Sequence, residues 1–254
     1  MTVKGKRALV TAGSSGIGAA VAASLRAGGA EVFITGTGPH TGNVARDLGA
    51  AGWAIADFTT PGTATGAVQA ALETLGGVDI LVSNTGGSRA ARATDLTPAD
   101  WDSAYRLILE SAIALTNAAL PGMLASEWGR LIYLTSVGVV RPLPRLHTSN
   151  VMRAGVAALA RSLAGEVAPH GITTHVIAPA HVDTSRRRAL VAAAASASGS
   201  SIAETEQRQL AEELPVGRWG RPEEIGDLVA YLCSENAGYQ TGSTHVVDGG
   251  MTSI

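Results

Sequence analysis

The chain has 254 residues, 46% of them hydrophobic and 16% charged, with a formal net charge of −2. That supplies a core for one enzyme-sized domain and argues against nucleic acid or an anionic membrane as the main partner. No basic segment followed by an apolar one opens the chain, no apolar run approaches the length of a membrane span, and the single Cys233 excludes an internal disulfide, so a soluble, cytoplasmic protein is expected.

In chain order, apolar runs predict strands near residues 7–11, 31–35, 53–56, 79–83, 130–135, 172–178 and 244–247. Helical spacing predicts helices near 17–28, 41–49, 62–75, 98–124, 150–168 and 222–234, with a further helical stretch near Glu204–Glu213. Alternation of this kind implies βαβ units and a parallel sheet covered on both faces: an α/β, doubly wound architecture. No linker or internal repeat divides the chain, so residues 1–254 read as a single domain. Ligands of such sheets sit beyond the carboxyl ends of the strands.

The first strand runs into Thr11-Ala-Gly13-Ser-Ser-Gly16-Ile-Gly18, and Ile17, Val21 and Leu25 then recur at helical spacing. This strand–turn–helix setting marks a dinucleotide-binding turn. Gly13 is read as permitting the tight bend, Gly16 as admitting a pyrophosphate and Gly18 as allowing close helix–strand packing.

The strand ends carry a further set. Asp57 follows the third strand, and Ser83-Asn84-Thr85-Gly86 the fourth. Thr135-Ser136 follows the fifth, and Ala178-Pro179-Ala180-His181-Val182-Asp183-Thr184 the sixth. The tail holds Pro215-Val-Gly-Arg218-Trp-Gly-Arg-Pro222-Glu-Glu224, Thr241-Gly242 and Val247-Asp248-Gly249-Gly250. In order and spacing the chain resembles the short-chain dehydrogenase/reductase family over essentially its whole length. The resemblance implies a single-domain Rossmann fold, a nicotinamide dinucleotide, a small-molecule substrate and a homotetramer.

Carried over by position, Gly13, Ser15, Gly16, Ile17 and Gly18 would line the pyrophosphate. Asp57 would meet the adenine, and Asn84 and Gly86 the adenosine and nicotinamide sides, with Pro179 also on the cofactor. Asp57 also reads as a turn residue at a strand end. The second strand ends in Ile34-Thr35-Gly36-Thr37 with no carboxylate to accept a ribose 2′-OH, so NADP(H) is favoured over NAD(H), with Thr37 at that edge. No Arg follows, and Ser15 stands where many NADP enzymes of the family carry a basic residue.

The family's catalytic set is a Ser, a Tyr thirteen positions on and a Lys four beyond. Here these positions are Ser136, Ser149 and Arg153, and a fourth, an Asn in the family, is Ile108. A serine hydroxyl is far less acidic than a phenol, whose pKa is about 10. Arginine stays protonated, so it can hold a ribose or an anion but cannot relay a proton. His147 and His181 are candidate proton carriers, and Asn150 a candidate for orienting a carbonyl or water. Arg153 serves both lists, catalytic and cofactor-binding; no metal is expected.

Residues 185–214 read as a substrate lid. Its Arg186, Arg187 and Arg188 are read as a solvated charged face before an anion site, and Arg89 and Arg92 as equally ambiguous. Three functions compete: an NADP(H)-dependent oxidoreductase with an atypical proton relay, a non-redox dehydratase, cyclase or lyase on the same scaffold, and a catalytically silent nucleotide-binding subunit.

Overall fold

The computed structural model describes residues 2–253. Seven strands form one all-parallel sheet in the order β3-β2-β1-β4-β5-β6-β7. The strands are β1 (Arg7–Val10), β2 (Glu31–Gly36), β3 (Gly52–Ile55), β4 (Ile80–Ser83), β5 (Gly129–Leu134), β6 (Ile172–Pro179) and β7 (Ser243–Val247). All seven match the expected strands to within a residue or two, because each is a short apolar run bounded by turn residues.

Side-chain alternation splits the core into two layers. Leu9, Phe33, Leu81, Leu131 and Tyr133 point into the layer with α3 (Thr63–Leu75), α5 (Ser111–Ala125) and α6 (His147–Val167). Val10, Ile34, Val82, Ile132 and Ile177 face α1 (Gly16–Ala27) and α9 (Pro222–Cys233), with α2 (Thr41–Leu48) flanking β2. Each fully buried Leu or Ile stabilises by about 1.5–3 kcal/mol. Cys233 is one of them in character, a buried thiol inside the second layer.

Three differences from expectation bear on the site. The sixth helix starts at His147 rather than near 150, so His147 and Ser149 lie in its first turn. The Ala/Ser-rich stretch after β6 folds into α7 (Ser185–Ser198), capped by the Thr184 hydroxyl and packed on α8 (Ile202–Glu213). Its alanines favour helix without apolar periodicity, which hid it from pattern reading. The long fourth helix is α4 (Pro98–Ala104), a π-helical turn at Tyr105–Glu110 and α5. The whole column, Pro98–Ala125, is 28 residues long with a mean hydropathy of 1.5 over its most apolar window. That overturns the expectation that no apolar run reaches membrane-spanning length. The column packs here on α3, α6, β4 and β5.

At the far end of the sheet, His175 of β6 is completely buried, with Nδ1 3.2 Å from His245 Nε2 of β7 and Nε2 3.1 Å from Thr173 Oγ1. Burial, then His245 and Arg130, push its pKa down to about 4. An unfolded histidine titrates at about 6.5, so below that pH the unfolded chain takes up a proton that the fold refuses. This contribution to stability is complete above about pH 6.5 and is lost as pH falls toward about 4. The urea midpoint should therefore drop between about pH 7 and about pH 5, and His175→Gln should flatten that slope; an unchanged slope would assign it to other groups.

Candidate active site

The carboxyl ends of β3, β2, β1, β4, β5 and β6 form one continuous row, about 24 Å long at about 4.8 Å per strand. Asp57, Thr37, the Gly13–Gly18 turn, Asn84 with Gly86, Ser136 and Pro179 stand along it in that order. The sheet order reverses between β1 and β4, and two side chains, Thr11 and Asn84, tie the chain there. Thr11 Oγ1 donates to Asn84 O at 2.6 Å and accepts from Asn84 N at 2.8 Å. Asn84 Nδ2 reaches Ala12 O at 3.3 Å.

The glycine turn opens α1. Its left-handed backbone falls on Ala12 (φ 45°) and Gly16 (φ 52°), so Gly13 is not the bend residue. Gly13 is needed because any side chain would press on Val10 O and Ile34 at about 3 Å. At Gly18 a Cβ would collide with the Ala12 carbonyl oxygen, as expected of a residue that lets helix and strand meet. Ser15 is the N-cap and makes no side-chain cap, so the hydroxyl leaves the first-turn N–H groups to another acceptor. Thr37 is exposed just past β2, and no carboxylate stands at that strand end. His40, which sequence reading passed over, occupies the N-cap position of α2 beside it and makes no side-chain bond to the helix. Asp57 is exposed and bonds Thr59 N and Oγ1 at 2.9 and 2.8 Å. It is a turn residue in this fold, with its outer oxygen facing solvent.

Ile17, Asn84, Gly86, Ser136, Ser149, Arg153 and Pro179 line one cleft of about 210 Å³, with Thr85, Ser88, Leu146 and Arg186. Gly86 has open space on its side-chain side, so a flat ring could lie against its backbone. Ser136 caps the turn after β5, its Oγ accepting from Gly138 N at 3.2 Å. Ser149 and Arg153 are both 8% exposed, one helical turn apart on α6, and Arg153 Nε donates to Ser149 Oγ at 3.1 Å. Arg153 Nη1 donates to Leu134 O and Thr135 O at 2.9 and 3.1 Å, and Nη2 to Gly86 O at 3.1 Å. Four of its five N–H groups are thus committed within the fold. Burial, then Arg186, lower its pKa to about 10, which leaves it charged at neutral pH.

The two histidines do not join this cleft. His147 lies in the first turn of α6 outside the lining. His181 turns away to Glu213 Oε2 at 2.5 Å and packs edge-on to Trp219, lining a separate cleft with Arg218 and Asp248. Asn150 exchanges bonds with Leu143 N and O, which pins the loop before α6, and it does not line the cleft. Ile108 is buried in the core within the π-helical turn. None of the four tyrosines lines the cleft; Tyr133 is sealed in the core against Thr116, with burial pushing its phenol up to about 12.

The arginine run also separates. Arg188 pairs with Asp183 at 2.8 and 2.9 Å, and Arg187 stacks over Trp219 and donates to Gln209. Arg186 and Arg188 are exposed, as a solvated face requires, and of the three only Arg186 also lines the cleft. Arg89 and Arg92 are exposed and paired with Asp100 and Asp95.

Known proteins share this frame. Residues 11–252 match the family model described as enoyl-(acyl carrier protein) reductase. The 3-oxoacyl-(acyl-carrier-protein) reductase of Salmonella typhimurium is 34% identical over 255 residues, covering 99% of each chain. That of Escherichia coli is 33% identical over 253 residues, again covering 99% of each. Among solved structures, L-sorbose reductase from Gluconobacter frateurii with NADPH and L-sorbose superposes at TM-score 0.94 with 29% identity, covering 100% of this chain and 99% of that one. A 3-oxoacyl (acyl-carrier-protein) reductase from Agrobacterium tumefaciens with NADP bound gives 0.89 and 30%, covering 98% and 95%. The parallel sheet, the glycine turn at its switch point and this full-length similarity place the chain in the short-chain dehydrogenase/reductase family.

Proposed function

We propose that the chain is an NADP(H)-dependent oxidoreductase that interconverts a carbonyl and an alcohol on a small-molecule substrate, through a proton relay that lacks the family's Tyr and Lys. The observation that carries it is the convergence of the glycine turn, Asn84, Gly86, Ser136, Ser149 and Arg153 along one row of strand ends and its cleft. When bound there, the dinucleotide supplies a hydride to the carbonyl carbon, whose oxygen takes the C=O electron pair and then a proton from water.

Gly13, Ser15, Gly16, Ile17 and Gly18 would hold the pyrophosphate, Thr37 with His40 the 2′-phosphate side, and Asp57 the adenine. The missing carboxylate after β2 and the NADPH- and NADP-bound relatives favour the phosphorylated cofactor. Ser136 and Ser149 each accept a hydrogen bond from the protein, which leaves each O–H free to donate. Both would bond the carbonyl oxygen, with the Arg153 charge behind Ser149 stabilising the negative charge that develops. Arg153 acts through position and charge, since three of its hydrogen bonds hold the strand ends and a fourth holds Ser149. No side chain lining the cleft changes protonation near neutral pH, so water delivers the proton. The helices α7 and α8 form the lid, and a homotetramer is the assembly the family resemblance favours.

Titrating the purified protein with NADPH and NADH should give binding at least about tenfold tighter for NADPH; binding of neither would sink the reading. Loss of an oxyanion donor typically costs about 10²–10³ in rate, and Ser149→Ala or Ser136→Ala should lower kcat by that order with NADPH affinity unchanged. Arg153→Lys keeps the charge but loses the fork, and should lower stability by about 1–3 kcal/mol in urea unfolding. The lack of a neutral-range acid in the cleft also favours a second reading, a non-redox lyase. Product formed with no net oxidation of NADPH would select it.

A further inference from the structure

Arg153 and Arg186 are the only charged residues lining the cleft among the described residues. The two come from different elements, α6 and the first turn of α7, and no Asp or Glu lines the space between them. Arg186 makes one long contact among the described residues, Nη1 to Gly87 O at 3.4 Å. Its neighbours are spoken for: Arg188 by Asp183, Arg187 by Trp219 and Gln209. The Arg186 guanidinium lies directly against the Gly87 backbone, where a Cβ would make it shift.

Arg153 is buried and Arg186 is exposed at the mouth of the cleft, and two like charges facing one space without a counter-ion destabilise one another. Burial lowers the pKa of both guanidiniums, and Arg186 lowers that of Arg153 further. An anion in the cleft reverses both effects, and a planar guanidinium with most of its N–H groups free matches a carboxylate or phosphate in two-point fashion.

Building on the carbonyl-reductase reading, we propose that the substrate carries an anionic group, carboxylate or phosphate, that ion-pairs with Arg186 while its carbonyl meets Ser136 and Ser149. Arg153, with one N–H left on Nη2, adds charge at the inner end of the same space. The small cleft volume suits a short substrate whose anionic group belongs to the reacting molecule itself rather than to a distant carrier. Arg186 is then the residue that sets specificity, and the first turn of the lid delivers it.

The test uses the NADPH-loaded full-length protein and matched pairs: acetoacetate with methyl acetoacetate, levulinate with methyl levulinate, and dihydroxyacetone phosphate with dihydroxyacetone. Binding is followed by calorimetry and reduction by loss of reduced-nicotinamide absorbance. At least one anionic member should bind, or be reduced with a KM, at least about tenfold more favourably than its neutral match. A winning keto acid assigns the anion as carboxylate, and a winning phosphate ester assigns it as phosphate. Arg186→Gln should raise the KM for the anion by about 10–100-fold and bring the pair to near parity, with kcat and the NADPH Kd within about threefold. Arg186→Lys should recover part of the preference, and Arg188→Gln, outside the cleft, should keep all of it. Equal binding of every pair, a preference that survives Arg186→Gln, or an Arg186→Gln protein that loses NADPH affinity instead would overturn the proposal. If the parent protein fails to bind NADPH, the reductase reading falls, while the same pairs titrated into the cofactor-free protein still decide whether the anion site exists.

Discussion

Arg153 holds together the end of the sheet on which the site is built. Its guanidinium spans three carbonyls from two neighbouring segments, Leu134 and Thr135 at the end of β5 and Gly86 beyond β4, while Nε fixes Ser149 on its own helix. Strand ends in a parallel sheet present carbonyls with no further ladder to join, and in a buried site each needs a donor. One planar cation satisfies three at once. On the other side of the switch point, Thr11 and Asn84 do the same for β1 and β4 with neutral groups. The crevice is thus bounded by polar side chains rather than by packing, and the positions of Ser136, Ser149 and Gly86 follow from those bonds.

This arrangement suits stabilising charge better than moving protons. A guanidinium at the centre stays charged at neutral pH, and the hydroxyls around it have their lone pairs partly engaged and their O–H groups free. The site is a set of fixed donors, strongly cationic and without a carboxylate. Electrostatic stabilisation of a developing oxyanion asks for such a set. The same excess of positive charge links the two arginines of the cleft, which lie 33 residues apart in the chain yet share one space.

The lid region joins the site to the fold through pairs that are not contiguous in sequence. His181 bonds Glu213, Arg187 stacks on Trp219 and bonds Gln209, and Trp219 bonds Glu206. These contacts close α7 and α8 into one unit beside the end of β6. His181 is held with them, bonded to Glu213 and packed on Trp219, and it lines a separate cleft.

Sequence alone determined the strands and their alternation with helices, since burial on both faces of a parallel sheet demands apolar runs at regular intervals. It also located the glycine turn and the register of Ser136, Ser149 and Arg153, because a helix without gaps preserves spacing. It did not show α7, whose alanines form helix without an apolar stripe, nor that Ala12 rather than Gly13 takes the left-handed bend. Tertiary structure alone decided which polar residues share a space. Arg186, Arg187 and Arg188 are adjacent in the chain but about 100° apart around a helix, so each meets a different surface. His147, His181 and Asn150 sit close to the site in sequence, yet helix phase and nearer partners carry them elsewhere. Spacing along the chain reports local geometry; the charge balance of a cleft is set by residues that only folding brings together.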